Sequence, residues 1–221
     1  MSRTPQTAPQ PAEPDAPERD AAEHWRPNEL RGSRIILRHH RQENLPHVIR
    51  WYRDPELARL TRYQTRPMSV EEIERFFSTR LLADDGIAYA IHEAGTDRLI
   101  GLTTFSALDA DNGSVLFHIT IGEHDAWGRG YGTEATELML RHAFERMGLH
   151  RVGLSVFEFN ARARRAYEKA GFVLEGRLRQ AISRDGRWWD ELQMGALREE
   201  WQARQAGGAA AGRRGALESV R

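Results

Sequence analysis

The feature that most constrains this chain is the run Asp125-Ala126-Trp127-Gly128-Arg129-Gly130-Tyr131-Gly132-Thr133. Its three glycines stand at alternate positions. Before them lies a β-prone run, Val115 to Ile121. After them comes an apolar stripe at helical spacing, Leu140, Ala143, Phe144 and Met147. Glycines let a backbone turn sharply and approach a ligand closely. The first N–H groups of the following helix have no internal partners, and with the helix dipole they favour a phosphate group. The run is therefore either a candidate pyrophosphate cradle or a glycine-rich turn with no ligand. No Lys-Ser/Thr follows the glycines, so it is not a Walker loop, and alternate spacing is not G-x-G-x-x-G.

The rest of the pattern supplies a sheet for that turn. Ser33 to Arg38 reads as a first strand. Two helical patterns follow, one with Pro46 early, where proline is tolerated. The other opens at Ser69, which has capping-box spacing to Glu72. Ile87 to His92 and Leu99 to Phe105 read as strands joined through Gly95, Thr96 and Asp97. Arg151 to Val156 is a further strand. Asn160 to Ala170 reads as a helix ended by Gly171 as its C′ residue. Asp185-Gly186 marks a closing hairpin. Alternation of this kind predicts a mixed α/β domain over one central sheet, spanning residues 29–202. Residues 1–28 hold six of the nine prolines and almost no large apolar residue, so they are expected to be a disordered tail. Residues 203–221, rich in Ala, Gly and Arg, are expected to be a flexible tail.

Composition excludes several chemistries. There is no cysteine, so disulfides, thiolate metal sites and cysteinyl-acyl intermediates are ruled out. Lys+Arg and Asp+Glu number 32 each, and a net charge of zero gives no bulk attraction to nucleic acid. No apolar run approaches a membrane span and no signal-peptide core is present, so a cytoplasmic protein without a membrane partner is expected. None of the nine histidines forms an H-x-x-x-H pair, so no metal site is expected.

These residues resemble the GNAT superfamily of N-acetyltransferases. The family's turn is Gln/Arg-x-x-Gly-x-Gly/Ala; Trp127 stands at its first position, with Gly130 and Gly132 at the glycine positions. The second half agrees. Asn160, Ala163, Tyr167, Gly171-Phe172 and Glu175-Gly176 match the family's Asn-x-x-Ala-x-x-x-Tyr-x-x-x-Gly-Phe-x-x-Glu-Gly run. Trp127, Gly186 to Asp190, Met194 and Glu200-Trp201 resemble the subgroup that acetylates ribosomal-protein N-termini. The resemblance covers about residues 31–202. It implies a mostly antiparallel sheet flanked by helices, whose fourth and fifth strands splay apart to admit acetyl-CoA. By resemblance, pantetheine runs along Ile119 and Ile121. The pyrophosphate meets the turn formed by Trp127, Gly128, Arg129, Gly130, Tyr131, Gly132 and Thr133. Asn160 touches the pantetheine amide or simply caps its helix. Arg164 approaches the 3′-phosphate or belongs to a solvated face.

The implied reaction is direct attack of an amine on the thioester. Tyr167, at the family's tyrosine position, is the expected general acid at sulfur; the bland reading is a core tyrosine. His118, on the fourth strand, is a candidate base, with Glu123 as a second. Trp188, Trp189, Asp190 and Glu191 cluster where a cationic amine could be received, or form core and rim. A lysine-type amine is neutral in only about one molecule in 10³ at pH 7, and an α-amine in about one in ten. The leading acceptor is therefore a protein N-terminal α-amine. A small amine such as a polyamine or aminoglycoside is the alternative within the enzyme class, and a non-catalytic acyl-CoA-binding module is the alternative outside it. Succinyl-CoA is a second donor to test. Dimers are common in that family, so a homodimer is the expected assembly.

Overall fold

The computed structural model describes residues 26–83 and 87–207. The expected N-terminal tail lies outside them up to residue 25, and residues 208–221 of the expected C-terminal tail lie outside them too. The strands are β1 (Glu29–Arg31), β2 (Ile35–Arg38), β3 (Ala88–Glu93), β4 (Leu99–Asp109), β5 (Ser114–Ile121), β6 (Arg151–Phe157), β7 (Val173–Arg184) and β8 (Arg187–Leu197). The helices are α1 (Leu45–Tyr52), α2 (Pro55–Thr61), α3 (Val70–Phe76), α4 (Tyr131–Arg141), α5 (Ala161–Ala170) and α6 (198–207).

All eight strands form one sheet in the order β1-β2-β3-β4-β5-β6-β8-β7. Every pairing is antiparallel except β5 with β6. That parallel pairing is short: Ser114, Val115 and Leu116 face Arg151, Val152 and Gly153, and beyond them the strands part. The expected splay is thus present.

Local chemistry explains most element ends. Ser69 and Glu72 form the expected capping box at α3, Glu72 accepting from the Ser69 N–H at 2.8 Å and Ser69 Oγ from the Glu72 N–H at 3.2 Å. Asp54 caps α2 by accepting from the N–H groups of Glu56 and Leu57. Gly171 ends α5 in the left-handed region at φ 112°, and the Phe172 N–H reaches back to the Tyr167 carbonyl at 3.0 Å. Asp185 and Gly186 both take positive φ between β7 and β8, as that hairpin requires.

Two expectations change. The single strand over 33–38 is a hairpin, because Gly32 turns the chain and its N–H donates to the Ile35 carbonyl at 2.9 Å. With Leu30 its lone buried residue, β1 is too short to show a period. The tail expected from Ala203 is helical as far as 207, following Trp201, which packs 5.7 Å from the Phe144 ring.

Apolar residues of the two sheet faces build two cores. Val115, Phe117, Val152, Leu154 and Leu192 pack under α4, α5 and α6. Ala88, Ala90, Leu99 and Leu102 pack under α1, α2 and α3 with Val48, Trp51 and Phe77. Burying side chains of this size contributes about 1.5–3 kcal/mol each. Trp51 lies flat on Gly122, where an added Cβ would come within 2.4 Å of its ring, so α1 is seated at the end of β5.

Candidate active site

The parting of β5 and β6 opens a cleft of about 790 Å³ that reaches both sides of the sheet. One end is the glycine turn. Gly128 and Gly130 take φ 73° and 85°, a region that L side chains rarely adopt. These two positive angles bring the N-terminus of α4 to the cleft, with Gly132 and Thr133 among its walls. The N–H groups of Tyr131, Gly132 and Thr133 fall in the first turn, where a helix has no partner for them. A Cβ on Gly128 would stand in open space, and one on Gly132 would touch only Ile121 at 3.7 Å. The turn is therefore open at Gly128 and Gly132, with Arg34 packed against Gly130, and its N–H groups can accept an anion.

Arg34 and Glu134, two residues that no sequence motif marks, hold this turn. The Arg34 guanidinium donates to the Arg129 carbonyl at 2.8 Å and to Glu134 Oε2 at 2.8 Å. Glu134 Oε1 accepts from the Arg34 N–H and from Ser33 Oγ. Burial pushes the Glu134 carboxyl up, but the hydrogen bonds from Arg34 and Ser33 outweigh it and hold it below the usual range. The pair joins positions about a hundred residues apart, so no local pattern could reveal it.

Within the turn the side chains divide. Trp127 lines the cleft, yet its indole N–H donates to the Ile121 carbonyl at 2.8 Å, tying strand end to turn. That carbonyl is thus engaged within the protein. Tyr131 also lines the cleft, while its ring packs in the core with the Arg129 guanidinium 5.0 Å from its centroid. The Arg129 side chain turns away to Glu93, 3.4 Å off, and is not a wall of the cleft. Ile119 and Ile121 line it as expected.

Asn160 is a cap. Its Oδ1 accepts from the Ala163 N–H at 3.2 Å and its Nδ2 donates to the Leu60 carbonyl at 3.1 Å, so both side-chain atoms are used. Arg164 is not among the residues that line the cleft. It pairs with Glu168 at 2.8 Å, an i,i+4 contact on the helix face turned from the cleft. Arg162, Arg165 and Lys169 line the cleft instead.

Tyr167 and His118 come to the same cleft from opposite faces of the sheet. Tyr167 stands beside Phe117 and Phe172, and its hydroxyl makes no hydrogen bond to the protein among the described residues. Burial alone drives its pKa well above the ordinary value, so the phenol stays protonated and able to donate. His118 lies on the α1–α3 face, its Nε2 2.6 Å from Ser106 Oγ. Burial against the cleft wall lowers its pKa below 6.5, which leaves the imidazole neutral and able to take a proton at pH 7. Glu123 is not in the cleft. It is held by Arg50, by the Trp51 indole at 2.9 Å and by Arg98 at 3.8 Å.

The aromatic and acidic cluster of the last hairpin disperses. Trp188 is exposed, and Arg187 covers the Trp189 ring at 4.0 Å. Asp190 pairs with Arg177 at 2.7 Å. Glu191 is buried and accepts from the Tyr63 hydroxyl at 2.5 Å. Among the described residues no three His, Asp or Glu side chains group as metal ligands, and no helix is long and apolar enough to cross a membrane.

Comparison with known proteins gives the same assignment. Residues 34–173 match the family model of the acetyltransferase (GNAT) domain. The N-acetyltransferase YnaD of Bacillus subtilis is 31% identical over 40% of this chain, and the match spans 58% of that protein. The spermidine N(1)-acetyltransferase of Vibrio cholerae is 28% identical over 60% of the chain and 76% of its own length. The solved structure of the Vibrio cholerae spermidine N-acetyltransferase in complex with CoA and spermine superimposes with a TM-score of 0.68. It covers 77% of this chain and 99% of that one at 24% identity, a likeness of fold. Splayed strands, a free helix N-terminus at a glycine turn and a phenol at the gap agree with these matches: the chain belongs to the GNAT family of acetyltransferases and is an acyl-CoA-dependent N-acetyltransferase.

Proposed function

We propose that the chain moves an acetyl group from acetyl-CoA to a single primary amine by direct attack, and that the acceptor is the α-amine of a peptide or protein N-terminus. The donor half fits coenzyme A. The α4 N-terminus offers N–H groups to the pyrophosphate, and Arg162, Arg165 and Lys169 offer cations near it. Pantetheine would thread between β5 and β6 and bring the thioester between Tyr167 and His118. His118 takes the proton as the amine attacks. Tyr167 hydrogen-bonds the departing sulfur, lending its proton to a thiolate whose pKa is near 8.5.

The observation that carries the acceptor class is the sign of the charge around the cleft. Among the described residues lining it, the ionised ones are Arg62, Arg80, Arg162, Arg165 and Lys169, and no Asp or Glu is among them. A polycation would meet repulsion there, whereas a lone α-amine meets little. An imidazole of lowered pKa is a weak base, which suffices for an amine near 7.7–8.0 and serves poorly for one near 10.4. The relation to a spermidine acetyltransferase favours the other reading, a small polyamine acceptor. Thiol release measured with acetyl-CoA and either Ala-Ala-Ala-amide or spermidine separates the two. A higher kcat/KM for the peptide is expected, and a higher value for spermidine would replace this acceptor with the polyamine.

A further inference from the structure

The loop after α2 brings Arg62 and Tyr63 to the wall of the cleft, and it is fastened from behind to the β7–β8 hairpin. Arg59 pairs with Asp185 at 2.5 Å. Arg184, buried in β7, donates to the carbonyls of Arg62 and Tyr63. These contacts leave little freedom for the backbone of Tyr63. Its ring lies against Phe157 at 5.4 Å and lines the cleft, while its hydroxyl turns in to Glu191.

Glu191 is 4% exposed, and Tyr63 is its hydrogen-bond partner. No Arg, Lys or His lies within ion-pair distance of it among the described residues. Arg184 directs both terminal nitrogens to carbonyls. A buried carboxylate without a counter-charge is costly, and a cation that arrives would repay that cost. The Tyr63 hydroxyl gives its proton to Glu191 and, beyond its contact with Ser155, keeps a lone pair to offer. Burial, the bond to Glu191 and its charge push that phenol up to about 12, so it remains a donor to the carboxylate. Ser155 and Gln193 continue the polar strip on the same sheet face, Ser155 Oγ donating to Gln193 at 3.1 Å. His118 stands on that face too, one strand across.

We infer that Tyr63 and Glu191 form the receptor for the acceptor's ammonium group, a site for one primary ammonium ion and no more. The inference rests on the reading of the cleft as the place of amine acetylation, and it adds where the amine first docks. The single carboxylate sets the stoichiometry of charge: one positive group is compensated, while a second would face Arg62 and Arg80.

The test is calorimetric, on the full chain saturated with CoA. Ala-Ala-Ala-amide is titrated against isobutyryl-Ala-Ala-amide, in which a methyl group stands for the ammonium, so the end keeps its shape but carries no charge. The free amine is expected to bind at least about tenfold more tightly, a difference of about 1.4 kcal/mol. Glu191→Gln should abolish the difference, and Tyr63→Phe should shrink it. Equal affinity of the two peptides for the unaltered protein, no binding of the free amine, or a difference that survives Glu191→Gln each overturns the receptor. Acetyl-CoA titrated into the same variants keeps its affinity if they fold. Equal affinity of the two peptides for the unaltered protein, with its acetyl-CoA binding and thiol release intact, defeats the receptor alone. Loss of acetyl-CoA binding by the unaltered protein defeats the transferase reading itself.

Discussion

The two ends of the cleft are built differently. The donor end is one continuous piece of chain, β5, glycine turn and α4, with a second short piece, α5, beside it. The acceptor end is gathered from four places, Tyr63 after α2, Ser106 on β4, His118 on β5 and Ser155 on β6, with Glu191 of β8 buried behind Tyr63. A site made of consecutive residues depends on backbone conformation, which a few glycines decide. A site made of distant residues depends on packing between layers, which many side chains share.

That contrast can be broken most sharply at Gly130. A glutamate there must adopt φ 85°, push against Arg34 at 2.9 Å and set a carboxylate where phosphates belong. Strain of about 1–2 kcal/mol and charge repulsion add. Saturable acetyl-CoA binding is expected to vanish in Gly130→Glu, measured by calorimetry, with the fold kept by circular dichroism. Retained binding would move the cradle elsewhere.

Tyr167→Phe comes next. It keeps the packing on Phe117 and Phe172 and removes the proton donor. A loss of about 10³-fold in kcat with unchanged acetyl-CoA affinity is expected from single-turnover and titration data. An unchanged rate would return Tyr167 to the role of a core residue.

The acceptor layer carries an acid weakness of its own. His40 packs on Phe77, and neither ring nitrogen finds a hydrogen-bond partner among the described residues. Burial first, then repulsion from His92, lowers its pKa to about 4. The folded value lies below the ordinary 6.5, so the unfolded chain binds the proton more readily. Stability is therefore full above pH 6.5 and falls between pH 6.5 and about 4, by about 3 kcal/mol in all. Urea unfolding at a series of pH values should show this slope, flattened in His40→Leu. A slope that persists in the variant would assign the acid sensitivity to other groups.

The smallest effect sharpens the donor end. Arg165→Ala is expected to weaken acetyl-CoA binding about three- to tenfold, and Arg164→Ala to leave it unchanged, because only Arg165 lines the cleft. Equal effects would mean that the phosphate feels the general charge of α5.

How much could be read in advance follows the same division. The capping box at Ser69, the left-handed Gly171, the hairpin at Asp185-Gly186 and the glycine turn were all legible, because each rests on the conformations open to a few adjacent residues. Tyr167 and His118 were legible as candidates by their places on a helix and a strand. Arg164 was left between the 3′-phosphate and a solvated helix face, and its pair with Glu168 favours the second. Arg129 was assigned to the ligand with its neighbours, but its exposed side chain is drawn off to Glu93, which lies 36 residues earlier in the chain. Tyr63 and the Arg34–Glu134 clasp had no signature at all.

By itself the sequence determined the order of elements, the sharp turn into α4 and the chemistry on hand, which includes a phenol, an imidazole and no thiol. Those follow from local sterics and from residue identity. Only the tertiary structure decided which carboxylates are free to act. Glu123 is neutralised by Arg50 and Arg98, and Glu134 is spent on the turn, while Glu191 is left buried behind Tyr63 without a cation. The physical reason is that a charge is defined by what stands within about 4 Å of it, and those neighbours come from chain segments tens to more than a hundred residues away.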